Sequence, residues 1–502
     1  MANFFNFGSW SQRRAALREA GAATGTAVQD PAHVGDIQGA FGTVRAADLD
    51  RSPTWSRRLR YLLAIMGPGL IVMVGDNDAG GVATYAQAGQ NYGTRLLWVL
   101  ALLIPVLVVN QEMVVRLGAV TGVGHARLIH ERFGRFWAAF SVGDLVLVNG
   151  LTIVTEFIGI ALAGSYFGIP RWLSVAGAAA VLVGFTVTGS FRRWERWMYV
   201  LIGVNVLMLP LIFLTHPRVG QMAHNFVVPG FPGGAAGHGG LNASVLLLVI
   251  AIIGTTVAPW QLFFQQSNVV DKRITPRWIG YERADTVIGS FVVVIGAAIL
   301  IGITAFGLGG TALHGHFTDA GAVATGLGHV VGHHAGAMFA LVLLDASLIG
   351  AAAVTLATSY ALGDIAGARH SLHRGIKDAP VFYGCYAFFL AAAASVVLIP
   401  GAPLGLITEG VQALAGVLLP SATVFLVLLC NDRDVLGPWV NRPWLNAAAG
   451  VIIGILVLLS LVLTAATLFP SLSGGQLTMI LASHNRAPTL SMTRLLGTSK
   501  RT

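Results

Sequence analysis

Charge is scarce in this chain: Asp, Glu, Lys and Arg together make up 11% of its 502 residues, against 55% for the hydrophobic types. An ordinary soluble domain carries about 25% charged residues. With a mean hydropathy of +0.72, a soluble multidomain enzyme is excluded and a polytopic membrane protein is the class that remains. Cysteine is almost absent, with only Cys385 and Cys430; they form no CxxC pair and are expected to pack as small apolar residues. An apolar h-region is missing from the N-terminus, so no cleavable signal peptide is expected. No Walker loop, GxSxG elbow, HExxH or dinucleotide fingerprint stands in a plausible context, and the chain is not expected to be an enzyme.

What the chain has instead is long apolar runs. Eleven are expected to span a bilayer, near residues 61–90, 94–117, 136–167, 172–190, 195–215, 243–270, 284–308, 336–363, 379–400, 404–430 and 445–470, each about the 20 residues that a crossing needs or longer. The net charge of +9 would suit a nucleic-acid partner, but its distribution does not. Most Lys and Arg fall in the tail up to Arg60 and in the alternate loops Arg116–Arg135, Arg192–Arg196, Lys272–Arg283, Arg369–Lys377 and Arg433–Arg442. Positive residues collect on the cytoplasmic side of membrane proteins. This reading puts the N-terminus in the cytoplasm, in a bacterial-type inner (plasma) membrane, and leaves no nucleic acid to explain.

Two of the runs are broken. The first holds Gly67-Pro68-Gly69, then Gly75-Asp76-Asn77-Asp78-Ala79-Gly80-Gly81, where a stable spanning helix tolerates neither the carboxylates nor the glycines. Backbone leaves the helical path at membrane depth only where it is buried in protein or lines a cavity. A carboxylate there costs roughly 2.5–3.5 kcal/mol, so Asp76 and Asp78 read as an ion or substrate site. The second break is Gly254-Thr255-Thr256-Val257-Ala258-Pro259-Trp260, at the corresponding place in the second half. Paired breaks of this kind mark the central site of secondary transporters. They divide the membrane domain, 59–470, into repeats at about 61–215 and 243–430 with an extra helix at 445–470.

Other polar residues read more plainly. Glu112 and Arg116 are four apart on one helical face and are expected to pair. Glu156 lies deep in the third run and is a candidate for an ion or proton path; Asp144 and Asn149 precede it. His314, His316, His329, His333 and His334 fall in a Gly-rich stretch, 309–335, expected to be a solvated outer loop without the spacing of a metal site. Residues 1–58 read as a basic, largely disordered cytoplasmic tail, and 471–502 as a C-terminal tail.

These motifs resemble the NRAMP (natural resistance-associated macrophage protein) family of divalent-metal transporters. The family's first-helix Asp-Pro-Gly-Asn, Phe-Ala-Thr and Gln-Ala-Gly are similar to Asp78-Ala79-Gly80-Gly81, Val82-Ala83-Thr84 and Gln87-Ala88-Gly89; its Arg-Leu-Gly-Val-Val-Thr-Gly is similar to Arg116 through Gly122. Glu156-Phe157-Ile158-Gly159 and Ala258-Pro259-Trp260 resemble its third-helix and sixth-helix motifs. The departures are informative. The family's metal-binding asparagine falls on Gly81, its methionine on Ala258, its sixth-helix histidine on Trp260, its third-helix aspartate on Ile153 and its tenth-helix glutamine on Leu418. That pattern resembles the NRAMP-related magnesium branch, which is uncoupled from protons.

The resemblance implies an all-α fold of about 11 transmembrane helices, a LeuT-like 5+5 inverted repeat with broken first and sixth helices. It implies a divalent cation at the midplane held by Asp78, with Asn77 and Asp76 and the carbonyls of Gly75 and Thr255, near Ala258. Glu156, Gly81, Pro259 and Trp260 would line the path. Without the methionine thioether the remaining ligands are oxygens, which suit Mg²⁺ or Mn²⁺. The expected function is import of one of these ions by alternating access, with weak or no proton coupling; the ion is cargo, and no cofactor is expected. The alternatives are a proton-coupled Mn²⁺/Fe²⁺ symporter, an amino-acid symporter of the same architecture, and a non-transporting membrane sensor or scaffold.

Overall fold

A computed structural model describes residues 31–46, 54–230 and 243–468. Apolar runs that cannot exchange backbone hydrogen bonds with lipid must satisfy them internally, and the result is a helical bundle. Its helices are α1 (Trp55–Ile65), α2 (Pro68–Gly75), α3 (Ala79–Tyr92), α4 (Leu97–Thr121), α5 (His125–Phe133), α6 (Arg135–Tyr166), α7 (Arg171–Thr186), α8 (Phe191–Leu214, with one 3₁₀ turn) and α9 (Val219–Val227). The second half runs α10 (Ala243–Thr256), α11 (Pro259–Asp271), α12 (Ile279–Gly307), α13 (Ala320–Val330), α14 (His333–Ala366), α15 (Pro380–Val397), α16 (Leu404–Cys430) and α17 (Pro443–Leu468).

Among the described residues, nine helical segments are long and apolar enough to cross a membrane, α10 and α11 counting as one. Two crossings fall outside that test. The first is split into α2 and α3, neither half long enough alone, and α7 has only 16 residues. With these two the expected eleven are accounted for. The first span begins later than expected, at Pro68, because α1 is a separate helix bent 50° from α2 at Gly67, whose φ of 154° no L side chain adopts without strain.

The repeat shows in which helices pack together. The first span, α2 and α3, packs on α12, and the sixth, α10 and α11, packs on α4; α6 meets α15 and α16 as α14 meets α7 and α8. The extensive α6–α14 contact joins the two halves. Five crossings per half place successive halves in opposite orientation, which makes the repeat inverted.

Two stretches differ from expectation. The segment 309–335 contains α13, whose N-terminus is capped by Asp319 accepting from the Ala322 N–H at 2.8 Å; its alternating Gly and Ala had masked the helical period. Within the stretch expected to be a disordered tail, residues 31–46 form a 3₁₀ turn (Pro31–His33) and a hairpin of β1 (Ile37–Gly39) and β2 (Gly42–Val44), antiparallel with Ile37 opposite Val44. Residues 1–30 and 471–502 lie outside the described residues. Glu112 and Arg116 pair as expected, at 3.1 Å, and Arg283 joins them at 2.6 Å from Glu112.

Candidate functional site

The first break is built by three consecutive polar residues. The helical path persists through Asp76, at φ −75° and ψ −21°, and the Asp76 and Asn77 N–H groups still bond back to Met73 and Val74 at 3.3 and 3.1 Å. Asp78 then turns extended and becomes the N-cap of α3, its Oδ1 accepting from the Gly81 N–H at 2.6 Å. In the sixth span, α10 ends at Thr256, Ala258 is extended without a side-chain cap, and Pro259 opens α11. Proline at a first helical position needs no N–H partner, so the sequence itself restarts the helix there.

The two breaks converge on Gly81. A Cβ at this position would lie 2.6 Å from the Asp76 carbonyl oxygen, 3.1 Å from Thr255 Oγ1 and 3.4 Å from Asp78 Oδ1. One point thus has three oxygens around it, a carbonyl, a hydroxyl and a carboxylate, drawn from both broken spans. The expected carbonyls were those of Gly75 and Thr255. It is the Asp76 carbonyl and the Thr255 hydroxyl that face this cradle, because the α2 helix runs one residue past Gly75.

Several oxygens here lack a hydrogen-bond partner although they are fully buried: Asp76 Oδ2, Asn77 Oδ1, Glu156 Oε1 and Thr255 Oγ1. A buried orphan of this kind costs about 1–3 kcal/mol, more if charged, and several in one place call for a ligand. All are oxygen acceptors or a hydroxyl, the donor set of a hard cation. Among the described residues no three His, Cys, Asp or Glu side chains gather in metal-binding geometry, so an ion here would draw on backbone, hydroxyl, amide and water as well as carboxylate.

Glu156 stands beside Asp78. Its Oε2 accepts from the Ala79 N–H at 3.1 Å, and Gly350 of α14 makes room for both groups: a Cβ there would lie 2.6 Å from Glu156 Oε2 and 2.8 Å from Asp78 Cβ. Asn77 donates to the Val293 carbonyl of α12 at 3.3 Å. Trp260 is buried against Gly75, a Cβ at which would meet its ring at 3.1 Å, and so packs under the end of α2 next to Ile349.

Two residues missed in the sequence complete the site. Gln261, in the first turn of α11, donates to Asp76 Oδ1 and, at 3.1 Å, to the Thr256 carbonyl, while its own Oε1 accepts from Gln111 of α4 at 3.0 Å. It ties the two breaks together. Gln412 of α16 lies so close to α3 that a Cβ at Gly80 would fall 1.7 Å from its Nε2; it brings a side-chain amide to the α3 wall from another position of the helix that carries Leu418. A Gln inside an apolar run was the available signal for each. Asp144, by contrast, is occupied by Ser421, and Asn149 donates to Thr358 at 2.9 Å. Neither belongs to the site.

A small cavity lies beside these carboxylates, lined by Ala79 and Thr155, the chain neighbours of Asp78 and Glu156, and by Phe317, Asp319, Thr408 and Glu409.

Comparison with known proteins identifies the family. The chain matches the family model Nramp, described as natural resistance-associated macrophage protein-like, over residues 69–466. It is 26% identical over 449 residues to a Staphylococcus aureus divalent metal cation transporter, MntH, covering 84% of this chain and 94% of that one. The crystal structure of an Eremococcus coleocola manganese transporter superposes with a TM-score of 0.68 at 21% identity, covering 88% and 97% of the two chains. Mhp1, a nucleobase-cation-symport-1 family transporter, superposes at 0.50 and 15% identity over 81% and 92%, a likeness of fold. With its two broken spans, its inverted repeat and a family match across most of its length, this chain belongs to the Nramp family.

Proposed function

We propose that this protein carries a divalent metal cation, Mg²⁺ or Mn²⁺, across a bacterial-type plasma membrane by alternating access, with its N-terminus in the cytoplasm and with weak or no proton coupling. The observation that carries the reading is the three-oxygen cradle at Gly81, together with Ala258, which has no thioether, at the position where the family's methionine falls. Oxygen-only sites suit hard ions, whereas a thioether favours softer ones. Mg²⁺ sheds its waters reluctantly, and Gly81 and Ala258 leave the space in which retained waters would stand. Asp78 and Asp76 supply charge, Asn77 and Thr255 neutral oxygens, and the C-terminal end of α2 a favourable dipole. Gln261 holds Asp76 in place.

One observation favours the proton-coupled reading, for Mn²⁺ or Fe²⁺: Glu156 lies against Asp78, and a proton shared between two neighbouring carboxyl groups is a coupling device. The experiment that separates the two is uptake into proteoliposomes loaded with a Mg²⁺ dye, a Mn²⁺-quenched dye or a pH dye, with Asp78→Ala as the control. Entry of Mg²⁺ and Mn²⁺, lost in the variant and without internal acidification, supports the uncoupled reading. Mn²⁺ entry with matching acidification and no Mg²⁺ entry overturns it in favour of coupling. Absence of any flux, with metal still bound, points to a sensor.

A further inference from the structure

The hairpin of residues 31–46 is seated at one end of the bundle, where α1, α8 and α11 meet. Ile37 and Val44, both 2% exposed, are buried with Tyr61, Ile65, Val269 and Trp278 in an apolar cluster of their own. The fit is close: a Cβ at Gly39 would lie 1.9 Å from the Ala64 carbonyl oxygen. Strands of three residues do not stand alone in water, so docking is what holds the hairpin in shape.

Its polar contacts reach the inner end of the transport path. Arg273, just past α11, donates to the Ala32 carbonyl at 2.7 Å and the Asp36 carbonyl at 3.2 Å; Arg196 of α8 donates to the Ala40 carbonyl at 3.1 Å. His33 Nε2 lies 3.5 Å from Asp271 at the end of α11. The Ala40 N–H donates to Glu195 Oε2 at 2.5 Å. Glu195 is completely buried, and its other oxygen accepts from Lys272, which also donates to the Met66 carbonyl at 2.8 Å. Met66 and Gly67 form the bend between α1 and α2. The hairpin backbone is therefore the second partner of a buried carboxylate whose first partner ties α11 to the base of the broken first span.

We propose that this surface is a peptide-docking groove occupied by the chain's own residues 31–46, and that the seated segment is a latch that keeps the inner end of the path closed. The proposal rests on the transport reading for its purpose, since a cation released to the cytoplasm would leave by this end. Undocking removes the Ala40 N–H from Glu195, and a buried carboxylate oxygen without a partner is costly. Latch release and loosening of the Glu195–Lys272 pair are consequently coupled. Opening of the α1–α2 bend follows from both.

The test needs no metal and so stands apart from the choice of ion. Ser267 of α11, 5% exposed, lines a cavity whose wall includes His33. In the full chain with Cys385 and Cys430 replaced by Ala, Ser267→Cys is labelled with a maleimide in lipid nanodiscs. Gly39→Val, which forces the hairpin off Ala64, and Arg273→Ala, which removes two of its anchors, are each expected to raise the labelling rate roughly tenfold, the scale of one or two lost charge-assisted hydrogen bonds. A synthetic peptide of residues 31–46 added to the Gly39→Val chain is expected to restore slow labelling. Equal rates in all chains, or a rise that the peptide does not reverse, overturn the proposal. Arg273→Ala keeps the test decisive if Gly39→Val does not fold.

Discussion

Two polar layers lie within one apolar bundle, and they are finished differently. Toward the hairpin, Asp285 accepts from the Gly67, Gly69 and Leu70 N–H groups at 2.9, 2.7 and 3.2 Å, capping α2 from a distant helix. Asp271 is filled by Tyr360, Ser371 and the Leu372 N–H, and Glu195 by Lys272 and Ala40. At the breaks, Asp76, Asn77, Glu156 and Thr255 each keep an oxygen with no partner. Saturated carboxylates hold helices in place; the open oxygens at the breaks are the ones we propose for a cation. Glu282, buried in the saturated layer with neither oxygen bonded, and Asp364, with Oδ2 unbonded, depart from the pattern.

The comparison breaks most directly at Asp78. Asp78→Ala removes the charged ligand proposed for the ion together with the α3 cap, and metal uptake is expected to fall by more than the roughly 10- to 100-fold that losing an outer partner costs. Asp78→Asn keeps a capping oxygen, worth about 1 kcal/mol, and should recover stability without recovering uptake. In the saturated layer, Asp285→Ala leaves three N–H groups unpaired and is expected to destabilise by roughly 3 kcal/mol, seen as a lowered melting temperature, while metal selectivity among the remaining folded molecules is unchanged.

Gln261→Leu lies between the two layers in kind. It orphans Asp76 Oδ1 and is expected to cost about 1–3 kcal/mol in stability and roughly tenfold in metal affinity, measurable by calorimetry. Gly81→Ala places a methyl 2.6 Å from the Asp76 carbonyl, closer than a carbon packs against backbone, and is expected to weaken Mg²⁺ uptake about as much and to lower the melting temperature as the break shifts; Ala258→Met adds a thioether and should shift preference toward Mn²⁺ and softer ions.

The smallest effect concerns His370, in the loop after α14. Burial is the largest influence and opposes its charged form, but the hydrogen bond that it donates to Asp364, at 3.1 Å, the charge of that carboxylate, the Ala368 carbonyl and the charge of Asp271 together outweigh it and raise the imidazole above its ordinary pKa. A raised folded-state pKa gives stability that is fully present below about pH 6.5, the unfolded value, and is lost as pH rises through the folded one. The melting temperature of the wild type should therefore exceed that of His370→Gln most in acid, the gap closing as pH rises. His125, buried and held down to about 4, should show the opposite sign: it stays neutral in the folded chain while the unfolded chain takes up a proton, so stability falls as pH drops below about 6.5.

How much of this was readable in the sequence follows from distance along the chain. The breaks were legible because Asp76-Asn77-Asp78 and Ala258-Pro259 contradict the apolar runs around them within a few residues. Glu112–Arg116 was legible for the same reason. Gln261 was not, since its partners Asp76 and Gln111 are 185 and 150 residues away, and nothing local distinguishes it from Gln265 or Gln266. The glycines show the limit from another side: Gly80 and Gly81 were visible as missing side chains, but only the fold shows that one gives way to Gln412 and the other to three oxygens. The hairpin escaped because strands of three residues leave no periodicity to detect.

The measurement that tests the central claim most directly is the position of a bound Mn²⁺ by anomalous diffraction from crystals of the full chain. The account predicts a peak between the Asp76 carbonyl, Thr255 Oγ1 and Asp78 Oδ1, absent in Asp78→Ala. A peak among Glu195, Glu282 and Asp285 instead, or one at the breaks that survives in the variant, would contradict it.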